Sequence, residues 1–432
     1  MMRCAAMALL LWSSASFADQ AIVVDPEQYA FPLMNPFEAT IATTPKPLQP
    51  QNLPEDRYID QDDYVLSLRP EREFNLPPNF WAVKKLKYRF AKQPNKAPLV
   101  FIIAGTGSHY ASASMNFLKR VLYQAGFHVV QISSPTSYDF MAAASRYATP
   151  GYSPEDAQDL YNVMNAIKEQ NASVEVSDYH LLGYSLGGLQ AAFVSHLDSK
   201  QKVFNFKKVL MINPPVNIYN ATSNLDRLVN ARVKGLENST SFFDEVLGRL
   251  AEYFKAHGNI QISEAMLFEF QQSDQKLTDE ELAILIGTVF RFASADIVFT
   301  SDLVNRRGQV VPTNITIYEG TSLTPFLRQA LFCNFNCYIR EQLLPYWRRH
   351  FNGVSLDQLI HDVSLYSIAD HLRSSPNIAA FTNADDLILS PGDLRFLRDT
   401  LGSRLVIYPF GGHLGNMNYQ VNTDAMVEFF RD

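Results

Sequence analysis

Four residues of this chain have the types and spacing to do covalent chemistry together: a serine, two adjacent aspartates and a histidine, each in a turn that follows a strand-like run. Ser185 stands in Gly183-Tyr184-Ser185-Leu186-Gly187-Gly188, after the apolar run Tyr179-His180-Leu181-Leu182 and before the helix-prone stretch Leu189 to Leu197. Strand, G-x-S-x-G, helix is the setting of a nucleophile elbow. So sharp a bend has no room for a Cβ two residues either side of the serine. Glycine at both places would let Ser185 project alone with its hydroxyl exposed. A bare G-x-S-x-G arises by chance in roughly one chain of this length in ten, so its partners decide its meaning.

Those partners lie downstream in the order acid, then histidine. Asn377 to Thr382 reads as a strand, and Asp385-Asp386 sits in the loop just after it. Arg404 to Tyr408 reads as the next strand and runs into Pro409-Phe410-Gly411-Gly412-His413-Leu414-Gly415. A serine hydroxyl is a weak nucleophile until a neighbouring base takes its proton, and His413 can serve as that base and later return the proton to a leaving group. One aspartate would hold the imidazole tautomer and stabilise the imidazolium. A tetrahedral oxyanion then needs two preorganised donors. The N–H of Leu186, directly after the nucleophile, is the first. The second should come from the loop after an earlier strand, where Pro98 to Ala104 ends in Gly105-Thr106-Gly107-Ser108.

GYSLGG around Ser185, NADDLILSP around Asp385 and Asp386, and GGHLG around His413 together resemble the three catalytic loops of the α/β-hydrolase family, over about residues 80 to 432. The resemblance implies a mostly parallel central sheet flanked by helices, no cofactor, and a Ser185, Asp386, His413 triad. Asp386 is favoured because Asp386-Leu387-Ile388-Leu389-Ser390-Pro391 fits the family's spacing better than a frame starting at Asp385, which stays as the alternative acid. By similarity to the family's His-Gly-x loops, Thr106 supplies the second oxyanion amide, with Ala104 standing where a histidine is usual. His109, two residues past Gly107, is expected at the surface.

These loops need a scaffold, and the chain supplies alternating elements. Leu86 to Phe90, Leu99 to Ala104, Phe127 to Ser133, Tyr179 to Gly183 and Lys207 to Asn213 are strand-like. Ser153-Pro154-Glu155-Asp156 offers an N-cap serine, a proline and an acid to open a helix running to about Gln170. That alternation predicts βαβ units and a parallel sheet. Residues 80–213 and 376–432 would form the α/β core. Between them, 214–375 reads as a mainly helical cap, with a capping box at Thr278-Asp279-Glu280-Glu281 leading into the stripe Leu282, Leu285, Ile286, Val289, Phe292. Phe326 to Phe351, rich in aromatics and arginines, reads as cap core with a solvated basic face. Residues 19–79 hold prolines too closely spaced for long helices and read as an extended strap or linker.

At 432 residues and 47% hydrophobic content the chain can bury a large core. Residues 1–18 carry Arg3, an apolar run from Ala5 to Trp12 and the small-x-small site Ser16-Phe17-Ala18. That pattern predicts a signal peptide cleaved after Ala18, hence a secreted or periplasmic protein. No later run of apolar residues reaches the length of a membrane anchor. A net charge of −7 without a dense Lys/Arg run argues against nucleic acid as the partner. No P-loop, dinucleotide fingerprint or H-E-x-x-H is present, so nucleotide, cofactor and metal chemistry have no motif behind them. Cys333 and Cys337 could pair in an oxidising compartment. These readings converge on a serine hydrolase cleaving a small-molecule or lipid ester. The alternatives are amide, peptide or thioester cleavage by the same triad, or a catalytically silent binding protein of the same fold.

Overall fold

The computed structural model describes residues 20–73, 76–229, 278–318, 321–351 and 353–432. The proposed signal peptide, and the part of the expected cap between 230 and 277, lie outside these.

Among the described residues nine strands make one sheet: β1 (Ile22–Val23), β2 (Gln61–Leu66), β3 (Leu86–Ala91), β4 (Ala97–Ile103), β5 (His128–Ile132), β6 (Val176–Tyr184), β7 (Lys208–Ile212), β8 (Ile378–Asn383) and β9 (Leu405–Tyr408). Their order is β1-β9-β8-β7-β6-β4-β5-β3-β2. All neighbours run parallel except β3, which is antiparallel to both β2 and β5. The central strands are continuous apolar runs because helices cover both faces. In β4, Leu99, Phe101 and Ile103 join the hydrophobic cluster on one face while Val100 and Ile102 join that on the other. This is the period-two alternation of a strand buried on both sides.

The chain order reverses beside β4, which pairs with β5 on one side and β6 on the other. Ligands of open α/β sheets bind outside the carboxyl ends of the strands at such a switch point. Ile103 of β4 stands opposite Gly183 of β6, so the loops carrying Thr106 and Ser185 leave the sheet side by side.

The N-terminal segment is more than the extended strap or linker its prolines suggest. It supplies both edges of the sheet, β1 against β9 and β2 against β3. Between these, Asn35 caps the helix Pro36–Ala42 through Phe37 N and Glu38 N. The helix Ser153–Gln170 has the expected bounds, but Ser153 is not its N-cap. The Ser153 hydroxyl donates instead to Val363 O in the cap, at 2.8 Å.

Between β7 and β8 the described residues fold as helices, and their apolar faces form a third hydrophobic cluster. The longest, Asp279–Asn305, opens with the expected capping box between Thr278 and Glu281. Its stripe holds for the buried Leu282, Leu285 and Ile286 but ends at Val289 and Phe292, which are exposed. By length and composition this helix could cross a bilayer, yet 67% of its most apolar window is buried within the protein. Trp347 is buried against the rings of Tyr147, Tyr152 and Phe351. Phe332 departs from the cap-core reading and is 85% exposed, beside the Cys333–Cys337 disulfide.

Candidate active site

The elbow is built by strain and close approach. Ser185 adopts φ 53 and ψ −128, a conformation that costs a non-glycine residue about 1–3 kcal/mol. Hydrogen bonds on both sides hold it there: Ser185 N donates to Ile212 O of β7 at 2.8 Å, and Gly188 N donates to Ser185 O at 2.9 Å. A Cβ on Gly183 would fall 1.9 Å from Gly187 O, and one on Gly187 would fall 2.3 Å from Ile103 O. Both glycines are therefore required by contact with neighbouring backbone.

The structure brings Ser185, Asp386 and His413 into one hydrogen-bonded chain. Ser185 Oγ lies 2.9 Å from His413 Nε2, and His413 Nδ1 lies 3.0 and 3.1 Å from the two Asp386 oxygens. Asn213 Nδ2 and Ile388 N also donate to Asp386, at 2.7 and 3.1 Å. Surrounded by donors, Asp386 accepts from Nδ1–H, which leaves Nε2 to accept from the serine hydroxyl. All three residues are buried.

Asp385, the alternative acid, points elsewhere. Its two oxygens accept from Gly411 N at 3.2 Å and Gly412 N at 2.9 Å. Burial raises its pKa above the usual carboxylate value, opposed by those backbone donors. One aspartate of the doublet touches the imidazole, and its neighbour grips the loop that carries it.

Thr106 and Leu186 both line the cavity beside Ser185 and His413. Leu186 opens the elbow helix Leu186–Gln201, so its amide belongs to the first turn, where N–H groups lack helical acceptors. In the facing loop, Gly107 N is already committed to Thr136 Oγ1 at 2.8 Å. Among the described residues no acceptor is seen for Thr106 N. Ser108 Oγ and Tyr184 OH, 2.9 Å apart, tie this loop to the residue before the nucleophile. A Cβ on Gly105 would strike the Tyr184 ring at 2.9 Å, so the loop owes its approach to a missing side chain. His109 sits off the cavity, half-exposed and 3.5 Å from Asp139, as expected of a surface residue.

Sequence reasoning missed Asn213, Thr136 and also Thr40, whose hydroxyl accepts from His413 N at 2.9 Å. Asn213 follows β7 with φ 45, a left-handed turn position at which asparagine is at home. That was the only local hint of its role.

From Ser185 a partly open pocket runs under the cap. Its walls come from Pro215, Ile218, Ala221 and Leu225 after β7, Phe290 and Ile297 of the long cap helix, and Phe335, Ile339, Leu343, Leu359, Val363 and Ile388. Hydroxyls in the wall are spent on the protein: Thr222 donates to Ile218 O and Tyr338 to Pro150 O, each at 2.8 Å. Phe290 lies over the imidazole, its ring centroid 6.5 Å from that of His413.

No family model matches the sequence, and no curated protein matches it. Solved structures do. A thioesterase domain from the curacin biosynthetic pathway is 12% identical, with 86% of this chain and 99% of that one covered at a TM-score of 0.39. Esterases of the fungus Rhizomucor miehei are 14% identical over 88% of this chain and 85% of theirs, at 0.42. Brefeldin A esterase, a bacterial homologue of human hormone sensitive lipase, is 12% identical over 91% of this chain and 79% of its own, at 0.41. By its own strand order, its strained elbow and the three loops gathered at the carboxyl ends of its strands, the chain has an α/β-hydrolase fold.

Proposed function

We propose that this protein is a serine hydrolase that cleaves a carboxylic ester bearing an apolar acyl group. One observation carries the reading: the hydrogen-bonded chain Ser185, His413, Asp386 opens into a cavity whose wall offers hydrocarbon and almost no free polar group. His413 Nε2 takes the Ser185 proton as Oγ attacks the ester carbonyl. The amides of Leu186 and Thr106 receive the oxyanion. His413 then protonates the departing alcohol, leaving the acyl group on Ser185. Water, activated by the same imidazole, attacks the acyl-enzyme and releases the acid. Phe290 and its neighbours exclude bulk water from these steps.

An apolar wall favours chain length over head-group recognition. Each methylene buried is worth about 0.8 kcal/mol, roughly fourfold in kcat/KM. On p-nitrophenyl esters of rising chain length, kcat/KM should climb until the cavity is full. Turnover of acetate alone would overturn the apolar-acyl reading. A fluorophosphonate probe should label Ser185 and leave Ser185→Ala untouched; an unlabelled wild-type protein would overturn the hydrolase reading itself. The N-terminal pattern, together with the Cys333–Cys337 disulfide, supports export with cleavage after Ala18. N-terminal sequencing of the mature protein tests that.

A further inference from the structure

The histidine loop is held by a segment almost four hundred residues away. The helix Pro36–Ala42 lies against Gly412 and Gly415 so closely that a Cβ on either would fall 2.2 Å from Pro36 O or Ala39 O. Thr40 Oγ1 accepts from His413 N at 2.9 Å while donating to Pro36 O at 2.6 Å. Two residues past the helix, Thr44 Oγ1 donates to Gly415 O at 2.8 Å. At its other end Asn35, which caps the helix, donates from Nδ2 to Asp279 Oδ1 at 2.7 Å, on the first turn of the long cap helix. The two helices pack along each other.

We propose that Thr40 is a positioning residue for His413, and that the helix carrying it links the cap to the imidazole. A backbone N–H at a buried residue needs an acceptor, and the Thr40 hydroxyl provides it with an orientation fixed by its own donation to Pro36 O. Asp385 grips Gly411 and Gly412, and Thr40 grips His413. Together they leave the loop one position, which sets Nε2 at hydrogen-bond distance from Ser185 Oγ. A cap movement that shifts Asp279 would pull on Asn35 and, through one short helix, on the histidine. The inference rests on the catalytic reading for its consequence in rate but not for its geometry.

The test is Thr40→Val, which keeps the shape and removes the hydroxyl, against Thr40→Ser, which keeps the hydroxyl. The expected result on an ester that the wild type turns over is a kcat about tenfold lower for Thr40→Val, with KM within about twofold and kcat restored by Thr40→Ser. The low-field proton of His413 Nδ1–H, assigned by its loss in Asp386→Asn, should move in Thr40→Val and return in Thr40→Ser. That resonance reads the imidazole without turnover, so an inactive wild type would sink the hydrolase reading and leave this measurement standing. Unchanged kcat and an unmoved resonance in Thr40→Val would overturn the proposal. So would Thr40→Ser behaving like Thr40→Val, because the methyl rather than the hydroxyl would then matter. Should Thr40→Val fold poorly, Asn35→Ala weakens the same helix at its part-exposed cap. It should give a smaller loss of kcat and a smaller shift in the same direction, and no change in either would equally overturn the inference.

Discussion

The core and the cap treat polar groups in opposite ways. At the carboxyl ends of the strands the polar groups around the imidazole are pinned: Asp386 by Asn213, Ile388 and His413, Asp385 by two glycine amides, Gly107 N by Thr136. Around the cavity the cap offers mainly apolar side chains, and the hydroxyls of Thr222 and Tyr338 are turned to backbone carbonyls. A preorganised polar cluster fixes where charge develops, which is what an acyl-transfer transition state needs. An apolar wall fixes volume and leaves orientation loose. On the proposed function chemistry would belong to the core and selectivity to the cap, and the two should respond to mutation in separable ways.

Core substitutions should lower kcat. The largest effect is expected from Ser185→Ala, a loss of about 10⁴-fold or more in kcat on a p-nitrophenyl ester. Asp386→Asn should follow at about 10⁴-fold, because an amide opposite Nδ1 no longer selects the tautomer that frees Nε2. Asp385→Asn should cost about tenfold at most, since it loosens the Gly411–Gly412 backbone without touching the imidazole. Steady-state kinetics on the three purified variants decide this ranking, and equal losses at the two aspartates would erase the distinction between holding the histidine and holding its loop.

Cap substitutions should instead redistribute activity among substrates. Ala221→Phe fills part of the cavity from the helix Ile218–Leu228. The kcat/KM for the longest acyl chain accepted should fall about 10- to 100-fold, the scale set by a few misplaced methylenes. Acetate or butyrate esters should change by no more than about threefold. A uniform loss across chain lengths would mean that the cap also positions the reacting groups.

How much of this was legible in the sequence follows the same division. The elbow could be read because backbone sterics demand glycine at 183 and 187, and a local demand leaves a local pattern. The frame beginning at Asp386 was favoured over Asp385 only through its resemblance to the spacing of α/β-hydrolase acid loops, and it is Asp386 that meets His413 Nδ1. Thr40 and Asn213 were not legible, because each reaches the site through a contact made 373 or 173 residues away. Edge strand β2 hid behind Asp62 and Asp63, charges that suit a strand only because Arg89 and Tyr110 meet Asp63 at 2.7 and 2.9 Å. Ser153 carried a helix-start pattern but serves tertiary packing, its hydroxyl drawn to Val363 O. Helical periodicity told which cap residues are apolar. It could not tell that their packing leaves a void beside Ser185, because a void belongs to no single helix.

The smallest expected effect lies where core and cap meet. Asp139 of the core accepts from Ser133 Oγ, Ser137 Oγ and Phe140 N, with His109 Nε2 3.5 Å away. Facing it is Asp296 of the long cap helix, which no donor reaches among the described residues. Burial first, and the Asp139 charge second, push the Asp296 carboxyl up to about 6 from its ordinary 3.8, and Tyr138 is raised by burial and then by both carboxylates. A carboxyl whose folded pKa exceeds its unfolded one favours the fold while protonated. That contribution is complete below about pH 3.8 and is lost as pH rises through about 6. Asp296→Asn imitates the protonated state at every pH. Its Tm should therefore match the wild type near pH 4 and exceed it by about 1–3 °C at pH 8, with the difference opening above about pH 4 and levelling off above about pH 6. Scanning calorimetry of both proteins from pH 4 to 8 makes the measurement. A constant difference across that range would show that the cap provides for Asp296 as fully as the core provides for Asp139, and the contrast between the two regions would fail at their seam.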